Sequence, residues 1–388
     1  MARLCERCKK VRRVWCPHDF AERIKAALAG KIKQEMFGPS PPNILVGHSH
    51  YPNVYWGPLV FADSSSLLKD DPKEMYGMSL EQILRVRSGM VRGIKRGDVK
   101  ASGRMLQEAQ EAIMSIIAVD VEARFSKVPS FSLELDEVLH PVGASAPIEK
   151  FRIAENPEIP RKVDEVIEEK MKAEEALVEL LLAGFDVHYL SKLLSAGILG
   201  QEGKKKMVPT KWAITAADDI AAKRFISSVR DCPIIEEICV FSNTYLDNHF
   251  EILLLPGRWE YEQFEVHLEN PEKIAWEHEP FWGRKSYAES EGGGYYAARF
   301  AVAEALYKLR LQAQVVVFRE IGKEYSVPVG VWEVRENVRA ALRKPPKKFE
   351  SVPDALQHLA SALKVPISKY LKKSLVIGQT RLSKWVGF

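Results

Sequence analysis

The spacing of apolar and polar positions changes period several times along the chain. In residues 19–37, Phe20, Ile24, Ala27, Ile32 and Met36 recur at roughly helical spacing, which predicts an amphipathic helix stopped by the Gly/Pro run 38–42. Residues 43–46 read as a short strand, and 47–58 as a loop rich in glycine, proline and aromatic side chains. Helical patterns follow at 79–93 and 103–126, a strand at 131–135, and a long helix at 161–184 with Val163, Val166, Ile167, Met171 and Val178 on one face. Another helix ends at 193–200. Thr215, with Asp218 three residues on, reads as an N-cap that opens the next helix. The period then shortens: 234–241, 250–255 and 259–268 read as strands joined at 243–245 and 256–257, an antiparallel meander. A triglycine at 292–294 opens a helix to about residue 311; strands at 315–318 and 327–334 follow, then a helical pattern over 352–376.

The expected fold is therefore mixed α/β (α+β), with helices packed around a sheet that contains an antiparallel meander. The expected divisions are an arm with the first helix (1–37), a mostly helical domain (38–205), a mixed sheet and helix domain (206–345), a C-terminal helical segment (346–378) and a flexible tail (379–388).

A chain of 388 residues fits about two domains, and 46% hydrophobic with 28% charged residues is an ordinary globular balance. No apolar run reaches the roughly 18 residues needed to span a bilayer, and the first ten residues lack an apolar signal region, so an intracellular protein is expected. The net charge of +4 is unevenly placed: residues 1–34 carry +7 and residues 331–388 carry +8, which leaves −11 for 35–330. Two basic ends around an acidic middle suit contact with nucleic acid near the ends.

Three of the five cysteines crowd the N-terminus, which argues against a disulfide framework. Cys5, Cys8, Cys16 and His18 form a Cys-x₂-Cys-x₇-Cys-x-His pattern; three thiolates and an imidazole would close a tetrahedral, structural zinc site with no open position. Cys232 and Cys239 read as small buried residues. His48 and His50 alternate, but without a third ligand nearby they read as hydrogen-bonding histidines.

Two stretches have the makings of a nucleotide or phosphate site. Thr210, Lys211 and Trp212 put a hydroxyl, a cation and a stacking surface in series; Asp218 and Asp219 suit the start of the helix that follows. Gly292, Gly293 and Gly294 let backbone N–H groups approach an anion at a helix N-terminus, with Tyr295, Tyr296 and Arg299 just beyond and Arg319 and Glu320 at the end of the next strand.

At the C-terminus Gln379, Leu382 and Trp385 recur every three residues, so a turn of 3₁₀ helix would line them up on one side. The spacing resembles the box by which proteins dock on the DNA sliding clamp PCNA, with Val386 where a second aromatic is usual and Phe388 two places later. Taken whole, the chain resembles the archaeal Nre family of DNA repair proteins. The resemblance rests on the basic cysteine cluster, the blocks 208–219 and 292–299, the segment 327–333 and the clamp box. It implies a DNA-damage factor that binds the clamp through its C-terminus, in the cytoplasm at the nucleoid. Two readings follow: a hydrolase acting on DNA lesions or modified nucleotides with Glu320 as acid/base, or a non-catalytic adaptor that carries other repair factors to the clamp.

Overall fold

The computed structural model describes residues 22, 25, 26, 28, 30–62, 71–131 and 143–378. The cysteine cluster (Cys5, Cys8, Cys16, His18) and the tail with Gln379, Leu382, Trp385 and Val386 lie outside them. The chain divides into two compact units, Met1–Ala221 with Val327–Gly330, and Ala222–Ser326 with Val331–Phe388.

Among the described residues the first unit holds a seven-stranded sheet: β1 (Glu35–Ser40), β2 (Ile44–Val46), β3 (Asn53–Phe61), β4 (Met90–Asp98), β5 (Val119–Phe125), β6 (Ser130–Phe131) and β7 (Ala144–Ile153). Its order is β1-β5-β7-β4-β3-β2, with β6 on β7; only the β4–β7 pairing is parallel. Helices α1 (Pro72–Met75), α2 (Leu80–Ser88), α3 (Arg104–Met114), α4 (Arg161–Glu168), α5 (Ala173–Leu182) and α6 (Val187–Ser195) belong to this unit, and α7 (Thr210–Val229) contains the division between the two.

Several expectations are corrected here. Residues 35–40 are not the end of a helix but strand β1, paired residue for residue with β5 from Glu35↔Arg124 to Ser40↔Val119. Met36, Gly38 and Ser40 alternate inward at period two, and Pro39, which lacks an N–H, is tolerated because β1 is an edge strand. The helices at 79–93 and 103–126 stop at Ser88 and Met114, and the alternating segments behind them become β4 and β5. Residues 38–205 thus carry a full sheet as well as helices. The long helix at 161–184 breaks at Glu169–Lys172, a mostly charged stretch in which Met171 is the one apolar residue, where the Glu175 side chain accepts the Lys172 N–H and starts a new helix. Helix α7 begins at Thr210, five residues before the expected cap; Thr215 is inside it and donates to the Lys211 carbonyl.

The second unit holds a six-stranded sheet of β8 (Ile238–Tyr245), β9 (Asn248–Leu255), β10 (Glu260–His267), β11 (Ile274–Glu279), β12 (Gln314–Ile321) and β13 (Lys347–Phe349), in the order β11-β10-β12-β9-β8-β13. The β8–β9 hairpin turns at Leu246 and Asp247, both at positive φ as a type I′ turn requires, rather than at 243–245. The meander is also corrected: β12 inserts between β9 and β10, antiparallel to the first and parallel to the second. Val315, Val316, Val317 and Phe318 explain the insertion, because an unbroken apolar run is buried on both faces only in a central strand. The strand expected at 327–334 is absent; Gly330 sits at φ 97 and helix α9 (Trp332–Leu342) starts two residues later.

Strand alternation gives the sheet two different faces. Helix α8 (Gly293–Leu309) and α9 cover one, and Phe225 of α7 stacks on Phe300 and Tyr307 of α8. Helices α10 (Val352–Ala362) and α11 (Ile367–Leu371) cover the other over a core of Leu253, Leu255, Phe264, Val316, Phe318 and Tyr370. The helical pattern at 352–376 is interrupted at Leu363, where the backbone turns extended ahead of Pro366.

Candidate functional site

Strand β10 carries Glu260, Glu262 and Glu265 with Gln263; Glu262 and Gln263 are fully buried, Glu260 is buried and Glu265 half-buried. A carboxylate taken out of water costs several kcal/mol unless it is paired. The partners therefore indicate how each face is used. Tyr261, Gln263 and Glu265 face α8.

On that face the parallel register sets Arg319 of β12 beside Glu265. Arg319 donates from Nη1 to Glu265 at 2.7 Å, from Nε and Nη2 to Asn248 Oδ1 at 3.1 and 2.6 Å, and from Nη2 to Glu333 at 3.4 Å. One turn along α9, Asn337 donates to Glu333 at 2.9 Å and to the Asn248 carbonyl at 3.1 Å, and accepts from Asn243 at 2.7 Å. Burial alone pulls Arg319 down, but Glu265 and Glu333 outweigh it and hold the guanidinium above its ordinary value. Glu333 fares differently. Burial raises its carboxyl from 4.5 to about 7 because Arg319, already engaged by Glu265 at shorter range, restores only part of what desolvation removes.

This fixes a sign for the pH dependence of stability. With a folded value above the unfolded one, the folded chain keeps a proton that the unfolded chain releases. Stability from this group is greatest below pH 4.5 and falls as pH rises to about 7. Glu333→Gln should remove that slope, so the variant should gain roughly 3 kcal/mol on wild type between those pH values in urea unfolding. Parallel curves would contradict the assignment.

The neighbouring end of the face is built from β11 and the loop 280–292. Glu279 takes Arg299 Nη2 at 2.9 Å, Tyr295 Oη at 3.3 Å and Trp259 Nε1 at 3.4 Å. Glu277 takes Arg284 Nη1 at 2.6 Å and the Ser290 N–H at 2.7 Å. Arg284 also donates to the Ser286 and Tyr287 carbonyls, which wraps the loop around one guanidinium.

Glu291 ends this loop. It is 8% exposed, and neither carboxylate oxygen has a hydrogen-bond partner among the described residues. Burial, then Glu265 and Glu277, push its carboxyl well above the usual range, against Arg319 and Arg284. Gly292 follows at φ 53, ψ −129, which suits glycine, and starts α8. A side chain at Gly294 would lie 3.3 Å from Glu265 and 3.5 Å from Arg319, so glycine lets the helix start sit against the cluster. Chemically this is a carboxyl held toward its neutral form beside an arginine–carboxylate network, the arrangement that suits a general acid.

Gly292, Gly293, Gly294, Tyr295, Tyr296 and Arg299 lie at the start of α8, where Gly294 sits against Arg319. Tyr295 is fully buried against Glu279, Tyr296 accepts the Ala288 N–H, and Arg299 pairs with Glu279. The expected convergence of Arg319 with Glu320 is corrected, because successive strand residues point to opposite faces. Glu320 lies on the α10–α11 side, where its oxygens accept the Lys364 and Val365 N–H groups, each at 2.8 Å, and Tyr370 Oη at 3.0 Å. Thr210, Lys211 and Trp212 lie in the first unit; Thr210 Oγ1 is buried, accepting the Val46 N–H and donating to the Ile44 carbonyl, while Trp212 is exposed. Cys232 and Cys239 are half-buried. Glu265, Glu277, Glu279, Glu291 and Glu333 went unpredicted; the first three and Glu333 lie within strand and helix segments among apolar neighbours, whereas Glu291 sits in the polar loop before α8 and gave no signal. Among the described residues no group of three or more His, Cys, Asp or Glu side chains is placed to hold a metal.

Sequence comparison decides the family. The model "Archaeal Nre, N-terminal" matches residues 13–272 and "Archaeal Nre, C-terminal" matches 279–385. The chain belongs to the archaeal Nre family. It is 38% identical to "DNA repair protein NreA" of Archaeoglobus fulgidus over 99% of this chain and 97% of the relative. "DNA repair protein NreB" of the same organism is 34% identical, over 90% and 91%. "DNA repair protein NreA" of Haloferax volcanii is 32% identical, over 92% and 89%. No solved structure matches. The boundary between the two Nre regions falls inside the second unit: β8, β9 and β10 come from the N-terminal region, and β12 and β13 from the C-terminal one. Glu265 is thus supplied by one region and Arg319, Glu291 and Glu333 by the other.

Proposed function

We propose that the chain is a DNA repair factor that docks on the sliding clamp PCNA and acts at damaged DNA. Full-length kinship with relatives named as DNA repair proteins supports the first part. The clamp box Gln379, Leu382, Trp385 and Val386 supports the second, on spacing alone. Cys5, Cys8, Cys16 and His18 are proposed to hold one structural zinc ion; purified full-length chain without zinc on metal analysis would remove that part. No helix among the described residues is long and apolar enough to cross a membrane, and a nucleoid-associated place in the cell follows from the proposed partners.

The observation that carries a catalytic role is Glu291, a buried carboxyl with unpartnered oxygens beside the Glu265–Arg319 pair. It replaces Glu320, whose oxygens are occupied on the opposite face, as the group proposed to move a proton. The reaction class is hydrolysis at a lesion or modified nucleotide. Full-length protein should convert one of a panel of lesion-bearing duplexes, and Glu291→Gln should lose most of that product while still being captured by immobilised PCNA. Changing Gln379, Leu382 and Trp385 together to Ala should abolish capture and spare product formation. Equal product from wild type and Glu291→Gln would rule out Glu291; no product from either, with capture intact, would leave the adaptor reading.

A further inference from the structure

Two loops that the sequence keeps about 150 residues apart form one surface in the first unit. The β2–β3 hairpin closes with the Gly47 N–H donating to the Tyr55 carbonyl at 2.7 Å, and its tip carries Tyr51. Along β3, Val54 and Trp56 are buried while Tyr55 points out, opposite Arg96 of β4. The segment before α7 is pinned against this hairpin: the Val99 N–H donates to the Pro52 carbonyl and the Met207 N–H to the Val99 carbonyl, at 2.9 and 2.8 Å. That brings Trp212 to 5.3 Å from the Tyr51 ring, tilted at 52°, and lets Lys206 donate to Tyr51 Oη at 3.2 Å.

The three rings remain open to solvent, Tyr51 and Tyr55 at 40% and Trp212 at 46%. Around them, residues 95–100 and 204–211 hold seven Lys or Arg and a single acidic side chain, Asp98, in a stretch of the chain that is otherwise acidic. Arg96, Lys204 and Lys206 are exposed, with Arg96 on the face of Tyr55, while Lys95 lies on the opposite face with Trp56. Exposed aromatic rings grouped among cations meet both needs of an unpaired polynucleotide, since bases stack on rings while phosphates meet the ammonium and guanidinium groups. A duplex presents the phosphates but keeps its base faces stacked.

We propose that this face binds single-stranded nucleic acid, with bases on Tyr51, Tyr55 and Trp212 and the backbone along Arg96 and Lys206. The choice of DNA as the natural strand rests on the repair function proposed above; the surface itself does not involve Glu291, the clamp box or the zinc pattern.

The test uses the full-length chain and a fluorescein-labelled oligo-dT, followed by anisotropy, with a duplex of equal length in parallel. Tyr51→Ala with Trp212→Ala should weaken oligo-dT binding by roughly tenfold or more and leave duplex binding unchanged. Arg96→Gln with Lys206→Gln should reduce the salt slope by about 1.4, because each of the two lost phosphate contacts contributes roughly 0.7. Oligo-dT should also quench the tryptophan fluorescence of wild type but not of Trp212→Phe in proportion. Unfolding midpoints within experimental error of wild type would show that the variants remain folded. Wild-type affinity retained by both double variants would overturn this surface and leave the repair function standing; a wild type that binds neither strand form would overturn both.

Discussion

Arg319→Met should be among the most damaging single substitutions in the second unit, lowering its unfolding free energy by about 3–5 kcal/mol. Methionine fills much of the same volume but donates no hydrogen bond. It leaves Glu265 and Glu333 without their shared cation and Asn248 Oδ1 without two donors. The cost is that of stranding buried charge, larger than the net worth of the pairs themselves. Arg319→Met combined with Glu333→Gln should be less unstable than the sum of the two single changes, because the second removes one stranded carboxylate. Urea unfolding of the four proteins gives that coupling directly; strict additivity would show that Glu333 does not depend on Arg319.

Glu320→Ala should cost about 3 kcal/mol or more through a different mechanism, the abandonment of donors. Its carboxylate closes two backbone N–H groups at the end of α10 and the phenol of Tyr370, which is fully buried and sits edge-on to Phe264 and Phe318. Burial first, then Glu320, raises the Tyr370 phenol well above its ordinary range, so it stays a donor at any working pH. Glu320→Gln keeps one acceptor but turns an amide N–H₂ toward N–H donors, and should fall between wild type and Ala. Amide exchange at Lys364 and Val365 should quicken in both variants. If exchange and stability stay at wild-type values while activity on DNA disappears, Glu320 acts on the reaction and the structural account fails.

Much of the secondary structure of the second unit was legible in its residues. Strands β8 to β10 and helix α8 follow from clear changes of period and from the triglycine. Their order was not, because the insertion of β12 is a long-range choice made by its four consecutive apolar residues, and only a finished sheet offers them two dry faces. In the first unit the period misled. At 79–93 and 103–126 helix and strand run on with one residue or a few between them, so a helical repeat extended past its end still meets apolar positions. Residues 35–40 show the same limit: Gly38 and Pro39 signal a break in a helix, yet both are acceptable at a sheet edge.

The candidate site was half visible. Glycines, tyrosines and arginines announce themselves by local clustering, whereas Glu265, Glu291 and Glu333 are scattered over about 70 residues and become a group only through strand register and the packing of α9. Glu320 was misplaced for the plainest reason, since neighbours in a strand are opposed in space.

The junction between the two Nre regions has one more consequence. Since β12 separates β9 from β10, a polypeptide severed between residues 272 and 279 leaves each fragment with strand edges that only the other can satisfy. The fragments should behave as halves of one complemented protein, insoluble apart and recovered together when co-expressed. In a lineage, a gene fission at that point could persist only if both pieces were kept, and neither region could be traded for a distant counterpart without its matching charges.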